Sequence, residues 1–287
     1  MKADFHIHTR FSDGKDTLEE IIQRLVKKAP STNFCLGITD HHFLSLSEVK
    51  KLDHFLIVPG IEISANLNKD HACHLVGYSF SPRGVLSLEK FLLKIRNGYQ
   101  QRARKIYKKL INLGFSLGEF KELRAQTLPK PVYTYDFATK LKQLLNFPDE
   151  ERVIKWAKNN GNLLYVEEKN FLPPATEVIT ILHRSNFKVF WAHPGTRFLR
   201  EGNTDESLFE SFIHVLKANG LDGIEVFSPL HNPWQIEKFQ FYAQKLKLVI
   251  SGGSDYHGKG RRTENFYFGL PEYLLKNFLR YLKYDQS

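Results

Sequence analysis

Histidines and carboxylates recur at the ends of short apolar runs, and these are the residues that could do chemistry. His6-Ile7-His8 puts two imidazoles on one face of a strand, because side chains repeat every second residue. Asp13-Gly14 follows in a turn. Later runs end in Thr39-Asp40-His41-His42 and Pro59-Gly60-Ile61-Glu62, and one contains His74. Others carry or lead into His193-Pro194-Gly195, Glu225 and Asp255-Tyr256-His257. Imidazole with carboxylate is the ligand set of Zn²⁺, Mn²⁺ or Fe²⁺, whereas Mg²⁺ draws few histidines. A single His-x-His in a chain with 12 histidines is more often structural. The joint pattern differs, since nearly every strand-like run ends in or near a His, Asp or Glu.

The elements that must position these residues alternate. Strand-like runs fall at 5–8, 34–38, 55–58, 72–78, 188–192, 223–227 and 248–251, with Pro59-Gly60 expected to end the third. Thr17-Leu18-Glu19-Glu20 reads as a capping box opening an amphipathic helix, and further helices are expected over 175–184, 206–218 and 233–246. This rhythm predicts a mostly parallel sheet with helices outside, open or closed as a barrel. In such folds the carboxyl ends of strands gather on one face, where active sites form.

A mainly helical segment at about 88–172 interrupts the rhythm and reads as an insertion into one catalytic domain. It opens with one long helix or two, Gly98 being the weak point and Gly114 the stop. Between Lys94 and Lys142 stand twelve basic and three acidic residues, so most of the net +10 of the chain lies there. Such a segment faces an anionic partner, either a phosphate-bearing substrate or nucleic acid, or else is a solvated helix surface.

Composition bounds the rest. With 287 residues, 42% hydrophobic and 25% charged, the chain can bury a sizeable core, and general disorder is excluded. No apolar run is long enough to cross a membrane. Met1 to His6 lack a charged-then-apolar leader, and two cysteines are too few for a disulfide framework, so a cytoplasmic location is expected. Cys35 and Cys73 read as core. His54, His71, His183 and His214 lie off the strand-end pattern, and His42 is expected to point away from His41.

Together these motifs resemble the PHP (polymerase and histidinol phosphatase) superfamily of metal-dependent phosphoesterases. The resemblance rests on His6-x-His8, Ser12-Asp13-Gly14, Thr39-Asp40-His41, Pro59-Gly60-Ile61-Glu62, His74-Leu75-Val76-Gly77-Tyr78, Ala192-His193-Pro194-Gly195, Gly223-Ile224-Glu225-Val226 and Gly253-Ser254-Asp255-Tyr256-His257, in that order along the chain. It implies a distorted seven-stranded β/α barrel and two or three divalent ions, Mn²⁺, Zn²⁺ or Fe²⁺. One ion would take His6, His8, Glu62 and Asp255, a second Glu62, His74 and His193, and a third Asp13, His41 and His257. Clustered dications bring the pKa of bound water near neutrality, so hydroxide is the nucleophile and no protein nucleophile is needed.

The branch it resembles removes phosphate from nucleoside 3′,5′-bisphosphates, and some members degrade RNA from its 5′ end. Arg102 matches a basic position of that branch, but the stretch from Pro131 to Ala138 lacks the expected Arg-x-His phosphate clamp. Lys130, Arg197, Lys259, Arg261 and Arg262 are the available replacements, and His231 is placed to touch substrate. The leading reading is a phosphomonoesterase on nucleotides. The alternatives are a 5′-3′ exonuclease on short RNA or DNA, or a non-enzymatic nucleic-acid-binding protein with structural metals. No protein partner is inferred.

Overall fold

The computed structural model of the chain describes residues 1–118, 123, 130–168, 171–199 and 205–283. Lys121 and Arg124 of the basic segment lie outside the described residues. All seven expected strand runs are present as strands: β1 (Lys2–Ile7), β2 (Phe34–Ile38), β4 (Phe55–Asn66), β5 (Ala72–Tyr78), β6 (Lys188–Ala192), β7 (Gly223–Phe227) and β8 (Val249–Gly252). An eighth, β3 (Lys50–Leu52), is short and wholly exposed, and it pairs antiparallel with the start of β4. Its sequence, Lys-Lys-Leu, carries no buried face that periodicity could reveal.

The third strand runs on where a turn was expected. β4 is parallel to β2 up to Pro59 and antiparallel to β5 from Gly60 onward. Pro59-Gly60 therefore marks a change of partner and not a strand end. A side chain at Gly60 would meet Thr39 Cγ2 at 2.8 Å and Ile38 O at 2.9 Å, so only glycine allows the chains to pass this closely. The continuation carries Glu62 into the centre of the molecule.

The sheet order is β1-β2-β4-β5-β6-β7-β8, with β1, β2 and β4 parallel, β5 antiparallel to both neighbours, and β6, β7 and β8 parallel. β1 and β8 share no ladder, so the sheet is mixed and open. Its edges are joined beyond β8 by a parallel bridge between Ile7 and Tyr256. There His8 N donates to Tyr256 O at 2.9 Å, and Tyr256 N donates to His6 O at 3.0 Å.

Helices cover the sheet. Thr17 and Glu20 form the capping box of α1 (Leu18–Lys28), which buries Ile21 and Leu25 against Phe34, Leu36 and Ile57. α5 (Ala175–Arg184), α6 (Glu206–Ala218) and α7 (Pro233–Lys245) follow the expected ranges, and α8 (Glu272–Lys283) packs Phe278 on Phe5 and Tyr78. Among the described residues no helix is long and apolar enough to cross a membrane.

The long basic helix α2 (Val85–Asn112) is one unbroken helix. Its first half gives Leu88, Leu92, Ile95 and Tyr99 to the main core. Its second half gives Ala103, Ile106 and Leu110 to a second core, shared with Phe137 and Leu141 of α3 (Thr134–Leu145) and Val153 and Ala157 of α4 (Glu150–Asn159). Gly98 sits at the join, where a Cβ would lie 2.3 Å from the ring of Phe171 and 2.7 Å from its Cβ.

Two effects oppose each other at that glycine. Alanine is the better helix former by about 1 kcal/mol. Overpacking against a side chain contacted so near its own backbone costs about 1–3 kcal/mol. Gly98→Ala is therefore expected to lower stability in urea denaturation, and an unchanged or raised midpoint would refute the packing argument.

Candidate metal centre

Strand direction brings the donors to one end of the sheet. His6 lies in β1 and His8 just past it, His41 follows β2, His193 follows β6, and Asp255 and His257 follow β8. His74 lies near the start of β5, which reaches the same end because β5 runs antiparallel. Glu62 sits in the antiparallel half of β4, and His41 is bridged to it through the backbone.

Glu62 is fully buried and ringed by five imidazoles. His6 Nε2, His8 Nε2 and His41 Nδ1 lie 3.3, 3.2 and 3.1 Å from its Oε2. His74 Nδ1 and His193 Nε2 lie 2.9 and 3.0 Å from its Oε1. Three overlapping donor groups result: His6, His8, Glu62 and Asp255; His8, Asp13, His41 and His257; and His41, Glu62 and His74. All nine expected ligand residues are thus brought together. His193 meets the cluster through Glu62, and His8 and His41 stand between groups that the sequence treats separately.

The inward-facing atoms suit a cation. His6 Nε2, His8 Nε2, His41 Nδ1, Asp13 Oδ1 and Glu62 Oε2 are buried and have no hydrogen-bond partner. The other ring nitrogens are held from outside: His6 Nδ1 by Glu225 at 3.2 Å, His8 Nδ1 by Ser12 at 3.4 Å, His193 Nδ1 by Thr196 at 3.3 Å and His257 Nδ1 by the Asp255 carbonyl at 2.6 Å. Outer partners of this kind orient imidazoles toward a metal.

Three carboxylates outside the expected ligand sets hold this frame: Glu225 and Asp40, which stand in the strand-end motifs, and Asp4, which does not. Glu225 also accepts the His193 backbone N–H at 2.7 Å. Asp40 accepts from Thr9 N, Thr9 Oγ1 and Ser12 Oγ, each at 2.7 Å, and so fixes the turn that carries Asp13. Asp4 accepts from Ser254 N and Tyr267 N, tying β1 to the loop after β8, and burial pushes its carboxyl up to about 6. His193 (φ 26°) and Asp255 (φ 56°) adopt left-handed backbone conformations, a strain that such frames sustain at functional sites.

Charge in the cluster is tightly opposed. Burial works against a charged His6, but Glu225 and Glu62 outweigh it and hold its pKa well above the ordinary value. Burial likewise opposes His8, yet the adjacent carboxylates of Asp255 and Glu62, each 3.2 Å away, raise it to about 10. Burial lowers His74 to about 4, with the Arg197 charge adding to the effect against Glu62. Glu62 and Asp13 stay well below the carboxylate range because surrounding imidazoles overcome the cost of burial.

The expected substrate residues are spread around this centre. Lys130 Nζ donates to Ser12 O at 3.0 Å. Arg197 is exposed beside a cavity of about 370 Å³ that also touches His71, Tyr165 and Glu168. Arg102 is buried within the insertion, bonded to Val166 O, Thr134 Oγ1 and Leu164 O and paired with Glu168 at 3.0 Å. Both ring nitrogens of His231 are engaged, by Gly195 N at 3.2 Å and Val226 O at 2.9 Å, so it anchors the loop after β6. His42 is buried against Tyr99, apart from the donor groups, and Cys73 is in the core.

The chain is 30% identical over 261 residues to the 3′,5′-nucleoside bisphosphate phosphatase of Chromobacterium violaceum, covering 90% of this chain and 87% of that one. It belongs to the PHP superfamily of metal-dependent phosphoesterases. No protein-family model matches the chain. A second relative, the 5′-3′ exoribonuclease Rnm of Escherichia coli, is 27% identical over 88% of this chain and 84% of its own. A Chromobacterium violaceum structure described as an amidohydrolase with bound SO4 and no metal superposes with a TM-score of 0.75 at 26% identity, covering 94% and 92% of the two chains. The PHP assignment makes the protein a phosphoester hydrolase and sets aside the reading as a non-enzymatic nucleic-acid binder.

Two outcomes follow from the cluster. Glu225→Gln removes the charge behind His6 and is expected to weaken divalent-metal affinity about 10–100-fold in a chelator-competition titration. An unchanged affinity would deny Glu225 that orienting role. In metal-free protein the folded-state pKa of His8, about 10, lies above its ordinary 6.5. The stability it contributes is complete below about pH 6.5 and is lost as pH rises through about 10. The Tm of chelated protein should therefore fall between pH 7 and 10, while a bound dication, replacing those protons, flattens the profile. Parallel profiles with and without metal would contradict this.

Proposed function

We propose that the protein removes a phosphomonoester from nucleotides of the nucleoside 3′,5′-bisphosphate type, in the cytoplasm, using two or three divalent ions, Mn²⁺, Zn²⁺ or Fe²⁺. The carrying observation is the set of buried, unpartnered donor atoms converging around Glu62, in a chain related along most of its length to such a phosphatase. His6, His8, Glu62 and Asp255 would hold one ion, Glu62, His74 and His193 a second, and Asp13, His41 and His257 a third. His8 and His41, each near two sets, would tie the sites together. Divalent ions there would acidify water and draw charge from the phosphoryl oxygens.

The chain's own part is placement. Glu225 keeps the His6 Nε2 lone pair facing inward, and Asp40 fixes the Asp13 turn. Nine donors for up to three ions leave positions for water and substrate, unlike a closed four-ligand structural zinc site. We also read the chain as a single catalytic domain, a distorted barrel drawn together by the Ile7–Tyr256 bridge, with 88–172 as its insertion. Lys130, bound to the Ser12 carbonyl, and Arg197, whose charge acts on His74, are the cations we assign to substrate.

A second reading, exonucleolytic removal of nucleotides from RNA 5′ ends, is supported by the likeness to Rnm. A panel of adenosine 3′,5′-bisphosphate, AMP and a short 5′-phosphorylated RNA, with and without Mn²⁺, separates the two. The expected result is metal-dependent phosphate release from the bisphosphate, roughly 100-fold or more faster in kcat/KM than from AMP. Release of mononucleotides from the RNA as the faster reaction would favour the nuclease. No turnover of any of them with metal bound would overturn both.

A further inference from the structure

Arg261 is a buried cation with more than half of its hydrogen-bonding capacity unused. It is 9% exposed, and its guanidinium carbon lies 3.5 Å from the centre of the Tyr135 ring. Nη2 donates to the Asp13 carbonyl at 3.2 Å, whereas Nε and Nη1 are buried without a hydrogen-bond partner. Among the described residues it forms no ion pair. A guanidinium cannot shed its charge at ordinary pH, so burying one beside an aromatic ring, with Asp136 near but no carboxylate in contact, is costly unless an anion completes it.

The local chain is built to hold it there. Gly258 (φ 95°) and Gly260 (φ 76°) turn the backbone sharply, and Arg261 N closes the turn on Gly258 O at 3.2 Å. Lys15 Nζ pins the loop through Lys259 O at 2.9 Å. Four residues upstream, His257 Nε2 lies 3.1 Å from Asp13 Oδ1, inside the donor cluster. Lys130 binds the carbonyl of Ser12 and Arg261 that of Asp13, so two cations flank the same turn on its backbone side.

We propose that Arg261, stacked on Tyr135 and assisted by Lys130, forms a phosphate-binding pocket beside the metal centre, which takes the substrate phosphate that is not hydrolysed. This rests on the reading of the protein as a nucleoside-bisphosphate phosphatase. The phosphate under attack must lie against the inward donor atoms. Arg261 stands one step outside them, behind the Asp13 backbone, where it reaches a second dianion on the same ligand. The planar, weakly hydrated guanidinium with free N–H groups suits phosphate oxygens, and the ring beneath it holds the plane in place.

The test compares wild type with R261M and R261K, each checked by circular dichroism and thermal melting. Chelator-treated proteins are titrated calorimetrically with adenosine 3′,5′-bisphosphate and with inorganic phosphate. Wild type should bind both, R261M about 10–100-fold more weakly, and R261K in between. With Mn²⁺ loaded, KM for the bisphosphate should rise by a similar factor in R261M while kcat stays within about threefold. The KM for p-nitrophenyl phosphate, which has only one phosphate, should move several-fold less.

Equal metal-free affinity in wild type and R261M, no binding by either, or an equal KM change on both substrates would overturn the pocket. If R261M does not fold, R261K carries the same comparison. Should wild type turn over no bisphosphate, the functional reading fails while the metal-free titration still reports on Arg261.

Discussion

A carboxylate stripped of water at the centre of the molecule is the constraint on which the rest depends. Glu62 is 0% exposed and touches five imidazoles. A buried charge without compensation is expensive, and here compensation must come from positive charge on the surrounding rings or on ions between them. The two options exclude each other at the same lone pairs. That competition explains why His6 and His8 hold their protons so firmly when only carboxylates face them. A site of this kind is unstable as a purely organic assembly at high pH and natural as a metal cage.

The fold is arranged to deliver that carboxylate. β4 changes partner at Pro59-Gly60, leaving the parallel half of the sheet and entering the antiparallel part. Without that switch Glu62 would lie beyond a strand end, in solvent. With it, Glu62 faces the ends of β1, β2 and β6 at once. The reversal of β5 serves the same purpose, since it brings His74 in from a strand whose neighbours run the other way. Glu225 then links β7 to both His6 and His193, so the distance between β1 and β6 is set by one carboxylate.

Much of the donor cluster was legible in the sequence because His, Asp and Glu at strand ends leave a repeated local signature. His6-x-His8, Asp13-Gly14 and Asp255-Tyr256-His257 can be read directly, and their convergence follows from parallel strands. The outer partners leave no such signature. Asp4 and Asp40 are ordinary aspartates within apolar or loop context, and only the folded chain shows which backbone groups they bind. Pro59-Gly60 misleads because it is a turn pair by composition, while its conformation answers to packing against Ile38 and Thr39. Gly98 looks like a helix weak point, but the space above it belongs to Phe171, 73 positions later. The absence of the Arg-x-His clamp is visible in the sequence, whereas nothing there separates Arg261 from the four other candidate cations; its contact with the Tyr135 ring and its unpartnered N–H groups appear only in the fold.

The basic helix bears on the size of substrate. A protein that grips a long anionic polymer presents cations in an open stripe along the backbone path. Here Lys94, Lys105 and Lys108 are exposed on α2, but several other cations are tied to neighbouring groups of the chain. Arg96 binds His42 O and pairs with Glu89, Arg102 binds carbonyls and Glu168, and Lys109 reaches Asn162 O. Arg104 donates to Leu123 O, and Lys142 pairs with Glu150 at 2.8 Å. The contacts of Arg102, Arg104 and Lys109 join α2 to the segments that follow it and so use that charge to build the insertion. Beside the donor cluster, Lys130 and Arg261 instead meet at one turn, a footprint matched to a single phosphate group, while the Arg197 charge acts on His74. On our proposed reading this suits a small nucleotide, because concentrated charge at one turn recognises a group, whereas extended charge recognises a strand.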